Sequence, residues 1–449
     1  MRHFTVLGMA LALLAGAATA EDTIWVRTWM QGQEARSRAI AASGTDIYVA
    51  GTTREQFPDI LVIKYDAAGD TGWVRTFDID TMEMAIDIAT GSDGRPVVLT
   101  QVESAEPAAG LAKITGTGDT AWVRHLEGTM SSAVAVGEAG EVYVWGAAFD
   151  SLPMEAFRLA RFGANGALEW RKSVRLGDGC QSAGACVDDD GNFVGVGVSF
   201  DSLGPNPMVL KFTSNGDTVW TKSLAGLGVD EPLGVAAAAG ESLVVTGMAG
   251  PEIKILKLSG GGDTAWTRSV EAMPNPEDIN NVAVDGQGEI ALYRTSMSGT
   301  CELIKLDATG EVVWEGMTDL RGAQAAVCTD SDDRPVTAGA TVGGPPAILT
   351  IKWQGRAAIG EEGGPVVFRG GERSVILDSN ARLGFTVPAA GHYDVRLFDN
   401  TGAVVRELHS GRLERGEQRI NVPGLAAGAY TLRIEGPQGT VQEKVVQVR

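Results

Sequence analysis

Seven tryptophans stand at nearly even intervals along the chain: Trp25, Trp73, Trp122, Trp170, Trp220, Trp266 and Trp314, separated by 48, 49, 48, 50, 46 and 48 residues. Self-similarity at this period marks an architecture of stacked units, each a small sheet that cannot bury its faces alone. Around the tryptophans one phrase returns: IKYDAAGDTGW (63–73), AKITGTGDTAW (112–122), ARFGANGALEW (160–170), LKFTSNGDTVW (210–220), LKLSGGGDTAW (256–266) and IKLDATGEVVW (304–314). An apolar run enters a Gly-centred turn, and a second strand carries the tryptophan, which is a hairpin. Between hairpins lie two more strand-like runs joined by a short polar turn, as in AIDIATGSDGRPVVLT (85–100) and AVAVGEAGEVYVWG (133–146). Each repeat therefore predicts four strands, A to D in chain order, with the tryptophan on D. The runs are apolar on both faces (ILVIKY, EVYVWG, SLVVTG), as expected where every sheet is sandwiched between neighbours.

The ends of the repeat determine its count. The seventh C strand, AILTIKWQG (347–355), carries Lys352, yet nine residues later stands Glu361 rather than a tryptophan. The missing D strand is at the other terminus, where Asp22-Thr23-Ile24-Trp25 matches Asp70-Thr71-Gly72-Trp73. The expected fold is an all-β, seven-bladed β-propeller over residues 21–355, closed by the N-terminal strand beside residues 347–353. Closure removes open sheet edges. A ring of tryptophans invites a stacked cofactor, but a ligand site breaks repeat symmetry whereas packing between blades preserves it, so these are read as core. A second repeated position, Lys64, Lys113, Arg161, Lys211, Lys257, Lys305 and Lys352, is read as solvated or paired rim charge.

Residues 1–20, MRHFTVLGMALALLAGAATA, have the form of a secretory signal peptide, with Arg2, an apolar Leu7 to Leu14 stretch and a small-residue cleavage site. No segment reaches about 18 apolar residues, so no membrane span is expected. The formal net charge is −20. Residues 366–449 hold 11 basic and 9 acidic groups, which leaves the acidity on the preceding segment. Such a surface repels phosphate backbones and anionic lipid and argues against nucleic-acid binding. Export permits disulfides: Cys180–Cys186 would close a short loop, and Cys301–Cys328 would bridge neighbouring blades, with the pairing left open.

After a Gly/Glu/Pro linker (356–365), residues 366–449 read as short strands separated by turns, a small β-sandwich pattern. The phrase pattern of residues 21–355 resembles bacterial extracellular seven-bladed β-propeller repeat proteins. The order FTVPAAGHYDVRLFDNTGAVVREL, GLAAGAYTLRIEG and KVVQVR resembles the C-terminal sorting domain of the type IX secretion system, with an Ig-like fold related to hook-capping proteins. Pro388, Gly391, Gly428, Tyr430 and Lys444 stand at matching positions. This resemblance implies a secreted or outer-surface protein whose partner through residues 366–449 is the secretion machinery.

Catalytic machinery is hard to find. Before the tail the mature chain has one histidine, His125, and there is no GxSxG, Walker loop or metalloprotease helix. No cofactor is expected. The acid-rich turn Asp188, Asp190 and Asn192 offers oxygen ligands of the kind calcium takes, although turn preference explains most of it. The A–B and C–D turns are short and uniform, while the D–A and B–C connections are long and varied. The latter emerge at one end of the ring, where recognition usually resides. Phe57, Asp150, Phe157, Asp201 and Asn275 are the candidates on that face, for an unknown protein or glycan. The leading expectation is a non-catalytic binding scaffold. The alternative is a carbohydrate-acting hydrolase or lyase with paired carboxylates in the funnel.

Overall fold

The computed structural model describes residues 23–30, 32–54, 58–77, 83–102, 107–149, 156–250, 252–271, 282–295, 300–341, 344–355, 375–376, 382–387, 390–398, 403–413, 416–421, 428–436 and 439–447. Phe57, Asp150, Asn275, Pro388, the expected signal peptide and the expected linker 356–365 lie outside them. The chain divides into two compact units, Met1–Gly355 and Arg356–Arg449. Apart from one short 3-10 turn, Ala225–Leu227, the regular structure among the described residues is strand.

In the first unit, residues 34–77, 83–127, 129–174, 179–223 and 231–271 each form a four-stranded antiparallel sheet whose spatial order follows the chain. A seven-stranded sheet runs in the order Thr23–Trp29, Ile348–Trp353, Pro335–Thr341, Val312–Thr329, Thr300–Leu306, Ile290–Thr295, Val282–Val284. Its central strand, Val312–Thr329, serves two partners. Residues from Val312 to Met317 pair with Thr300–Leu306, and residues from Gly322 to Thr329 pair with Pro335–Thr341. The A strands Glu34–Ser43, Glu83–Thr90, Thr129–Val136, Gly179–Val187, Glu231–Ala238, Val282–Val284 and the second half of Val312–Thr329 neighbour one another in a cycle that returns to its start. The core is divided among layers between adjacent sheets. One layer joins Tyr143, Trp145, Phe157, Phe193 and Phe212. Another joins Trp25, Ile47 and Ile63 to Val336 and Ile348 from the far end of the chain. This is an all-β, propeller-like repeat fold.

The C–D hairpin has one register throughout. The repeated basic residue lies directly opposite the tryptophan, followed by a bulge: Lys64 faces Trp73, Lys113 Trp122, Arg161 Trp170, Lys211 Trp220, Lys257 Trp266 and Lys305 Trp314. Lys352 faces Trp25, 327 residues away in the chain by these numbers, with Val26 opposite Ile351. The expected closure is present, and it reproduces the local hairpin register between the two ends of the unit.

In the second unit, five strands run in the order Val375–Ile376, Gly439–Gln447, Gly428–Gly436, Gly391–Phe398, Val404–Leu413, and Arg382–Val387 pairs with Gly416–Asn421. Gly391 opens one strand and Gly428 another, with Tyr430 opposite Val445 and Lys444 opposite Thr431. No helix among the described residues is long and apolar enough to cross a membrane.

Candidate binding face

Five D strands are latched by their tryptophan to the next sheet at the end of the unit that carries the A–B and C–D turns. Trp25, Trp73, Trp122, Trp220 and Trp266 donate their indole N–H to a carbonyl of the following C–D turn, at 3.1, 3.0, 3.2, 2.9 and 3.2 Å. Two residues on, a cation grips the same turn. Arg27 donates to the carbonyls of Gly69 and Ala68, Arg124 to those of Gly166 and Asn165, and Lys222 to that of Gly262. The arginines also lie over the rings, with Arg27 and Arg124 each 5.6 Å from their tryptophan. The turn glycine has positive φ, as at Gly69 (78°) and Gly166 (78°), and a Cβ there would come within 2.7 and 2.8 Å of Trp25 and Trp122. Glycine is required twice at this position, by backbone conformation and by the ring above it.

The repeated cation has a second role. Lys64 pairs with Asp46 (2.6 Å), Lys113 with Asp93 (2.9 Å), Lys211 with Asp188 (2.7 Å), Lys352 with Asp330 (2.5 Å), and Lys305 with Asp285 (2.7 Å) and Glu289 (2.8 Å). The acids sit in the A–B turn of the same sheet or, for Asp46, open the B strand that follows it, so the ion pair ties this end of the A–B hairpin to the C strand. Lys113, Lys211, Lys305 and Lys352 are buried. The expectation of pairing holds, but for these four the expectation of a rim position does not. Lys211 and Lys305 also reach into the next sheet, donating to the carbonyls of Gly260 (3.2 Å) and Asp333 (3.3 Å).

This arrangement removes the calcium reading at Asp188. One carboxylate oxygen accepts the amides of Asp190 (3.1 Å) and Asn192 (2.8 Å), and the other takes the Lys211 ammonium and the Asn192 side-chain amide (3.3 Å). The protein's own cation occupies the carboxylate, so Asp188, Asp190 and Asn192 form a capped turn. Asp285 and Asp330 repeat the design, each accepting two turn amides while holding its lysine.

The disulfide expectation is also corrected: Cys180, Cys186 and Cys328 carry free thiols, which leaves neither expected bridge. Cys180 and Cys186 lie on one extended strand, Gly179–Val187. At about 3.3 Å per residue their Cα atoms stand roughly 17–20 Å apart, far beyond the 4.4–6.8 Å or so that a disulfide spans. Burial pushes the Cys180 thiol up to about 11 and that of Cys186 up to about 12, the latter also raised by the Asp188 charge and eased by Lys211.

The opposite end is built around a bulge that recurs on the A strands of the five four-stranded sheets. The register slips between Ser37 and Ala39, Ala85 and Asp87, Ser131 and Ala133, Ser182 and Ala185, and Pro232 and Gly234. In four of these sheets a B-strand glycine faces the slip, at Gly51, Gly146, Gly197 and Gly247, where a Cβ would meet the A-strand backbone at 2.3 to 2.8 Å. The residue just before the slip pair is solvent-accessible and is of four types across the five sheets: Arg36, Met84, Met130, Gln181 and Glu231. The repeated glycine (VAGT, VWGA, GVGV, VTGM) was a readable signal for this feature.

Two expected ligand-face residues can be placed. Phe157 is a correction: it opens the strand Phe157–Phe162, is fully buried, and stacks on Trp145 with centroids 5.0 Å apart and planes 7° from parallel. Asp201 is exposed at the tip of the hairpin between Phe193–Asp201 and Gly204–Phe212, where its carboxylate accepts the Leu203 amide (2.7 Å) and caps the turn. His125 is exposed on its D strand.

Residues 380–448 match the family model of the secretion system C-terminal sorting domain. The match indicates export to the outer surface or the medium and implies contact with secretion machinery. No curated protein matches the chain. Among solved structures, it is similar to a protein of unknown function from Bacteroides caccae (12% identity, 63% of this chain and 93% of that one, TM-score 0.40). Others are the Dos1 propeller (9%, 75% and 97%, 0.46) and a luciferin-regenerating enzyme (12%, 74% and 96%, 0.40).

Proposed function

We propose that the protein is an exported seven-bladed β-propeller that binds a protein or glycan without turnover, joined to an Ig-like sorting domain. The blade count is supported by five complete sheets together with the double duty of Val312–Thr329, which acts as the D strand of one blade and the A strand of the next. The domain limits proposed are 21–355 and 366–449, with the signal peptide and linker outside them. The binding role rests on one observation. The turn end repeats the indole latch in five blades and the lysine–acid pair in five, while one register position at the other end presents Arg36, Met84, Met130, Gln181 and Glu231 in turn. A rigid frame that varies at a single rim is how a scaffold presents an asymmetric recognition surface.

The test has two arms. Deleting residues 366–449 leaves a folded propeller that accumulates in the periplasm, and normal surface delivery of the truncated chain overturns the sorting role. Screening the propeller against glycans and peptides yields saturable binding without product, and sustained product formation overturns the scaffold reading in favour of a carbohydrate-acting enzyme.

A further inference from the structure

Arg38 occupies the bulge of the A strand Glu34–Ser43, as the extra residue between the paired Ser37 and Ala39. The corresponding extra residues are Ile86, Ser132 and Leu233 in three other sheets. The strand is covered behind by Asp46–Arg54 and flanked by the A strand Glu83–Thr90 on one side and by Val312–Thr329 and Pro335–Thr341 on the other. Solvent therefore reaches Arg38 from the side where the A strands face one another. Arg36 stands two residues earlier on the same strand, nearer the varied end. Arg36 is exposed and 3.7 Å from Glu34, which Arg54 also approaches at 3.8 Å.

Among the described residues of this unit, Arg38 is the one half-buried cation that makes no hydrogen bond or ion pair. The others have partners: Lys64 on Asp46, Lys172 on Asp217, Lys254 on Glu252, Arg334 on the Gln354 carbonyl. Leaving a charge partly desolvated and unpaired is costly, and guanidinium is matched in shape by the two oxygens of a carboxylate, phosphate or sulfate. The surrounding chain is strongly acidic, which repels polyanions and favours a ligand of low charge.

We propose that Arg38, with Arg36 at the rim, is an oxyanion-binding site inside the cycle of A strands, taking the carboxylate of a small acidic ligand such as a uronic acid. The inference builds on the binding reading above and names the chemistry of its ligand. Arg38 supplies two parallel N–H donors to the oxygens, and Arg36 adds charge at the entrance.

The test is calorimetric titration of the full chain with glucuronate, glucose, sulfate and phosphate. Glucuronate saturates the wild type and glucose does not. Arg38→Gln weakens binding by at least about tenfold through loss of a charge-assisted pair, and Arg36→Gln by roughly two- to fivefold. Sulfate or phosphate binding that is lost in Arg38→Gln supports the same site with an inorganic source of the oxyanion. Thermal unfolding of each variant guards against misfolding, and Arg38→Gln melts no lower than the wild type because it removes an unpaired charge. The inference is overturned if no anion saturates, if glucose binds as well as glucuronate, or if Arg38→Gln binds like the wild type. If no anion binds but the glycan or peptide screen finds a ligand, this inference falls and the binding reading stands.

Discussion

The two ends of the first unit are built on opposite rules. At the turn end, the same few atoms recur from sheet to sheet: an indole on a carbonyl, a cation on the same turn, a glycine under the ring and a lysine on an aspartate. At the A-strand bulges, the backbone recurs while the side chain before the slip ranges over arginine, methionine, glutamine and glutamate. Repetition marks what every sheet needs in order to dock on its neighbour, and variation marks what only the whole assembly uses. Symmetry thus separates stability from recognition without reference to any ligand.

Substitutions can break that division. The largest losses should come from the turn end. Lys305→Met leaves the buried Asp285 and the half-buried Glu289 without this cation, and calorimetry should show a loss of about 3–5 kcal/mol. Trp122→Ala empties the latch over Gly166 at a similar cost, about 3–5 kcal/mol. Gly166→Ala, which must hold φ of 78° with a Cβ 2.8 Å from Trp122, should cost about 1–3 kcal/mol. Asp93→Asn should be milder, because the carboxylate is partly exposed. Burial raises its pKa, but hydrogen bonds from Lys113 and the Arg95 amide, with both charges, bring it below the ordinary value. A folded value below the unfolded one, about 3.9, means that the stabilisation is complete above that pH and is lost as pH falls through the folded value. The gap between wild type and Asp93→Asn, measured by urea unfolding, should therefore close in acid. Smallest of all, Met130→Ala and Gln181→Ala should change stability by no more than about 0.5 kcal/mol, while altering whatever the varied end binds. A variant at the varied end as costly as Trp122→Ala would erase the distinction.

Much of the fold was legible because its determinants repeat. The tryptophan period, the Gly-centred turns and the DTxW phrase at Trp25 led directly to the pairing of Trp25 with Lys352. What was not legible occurs once or depends on a partner distant in sequence. Spacing shows that Lys305 belongs to a series but not that Asp285, twenty residues earlier, meets it in the interior. Phe157 follows a Pro/Met/Glu stretch and reads as loop, yet its ring is needed against Trp145. Cys180 and Cys186 look close along the chain, and only an extended strand separates them. Arg38 carries no pattern at all, since its distinction is the absence of a described partner.

The central claim is that the N-terminal strand completes the last sheet of a closed ring. Hydrogen exchange on residues 23–29 and 348–353 tests it most directly. The two segments should be protected together and lose protection together as denaturant rises. Exchange of 23–29 at the unfolded rate while 348–353 stays protected would contradict it.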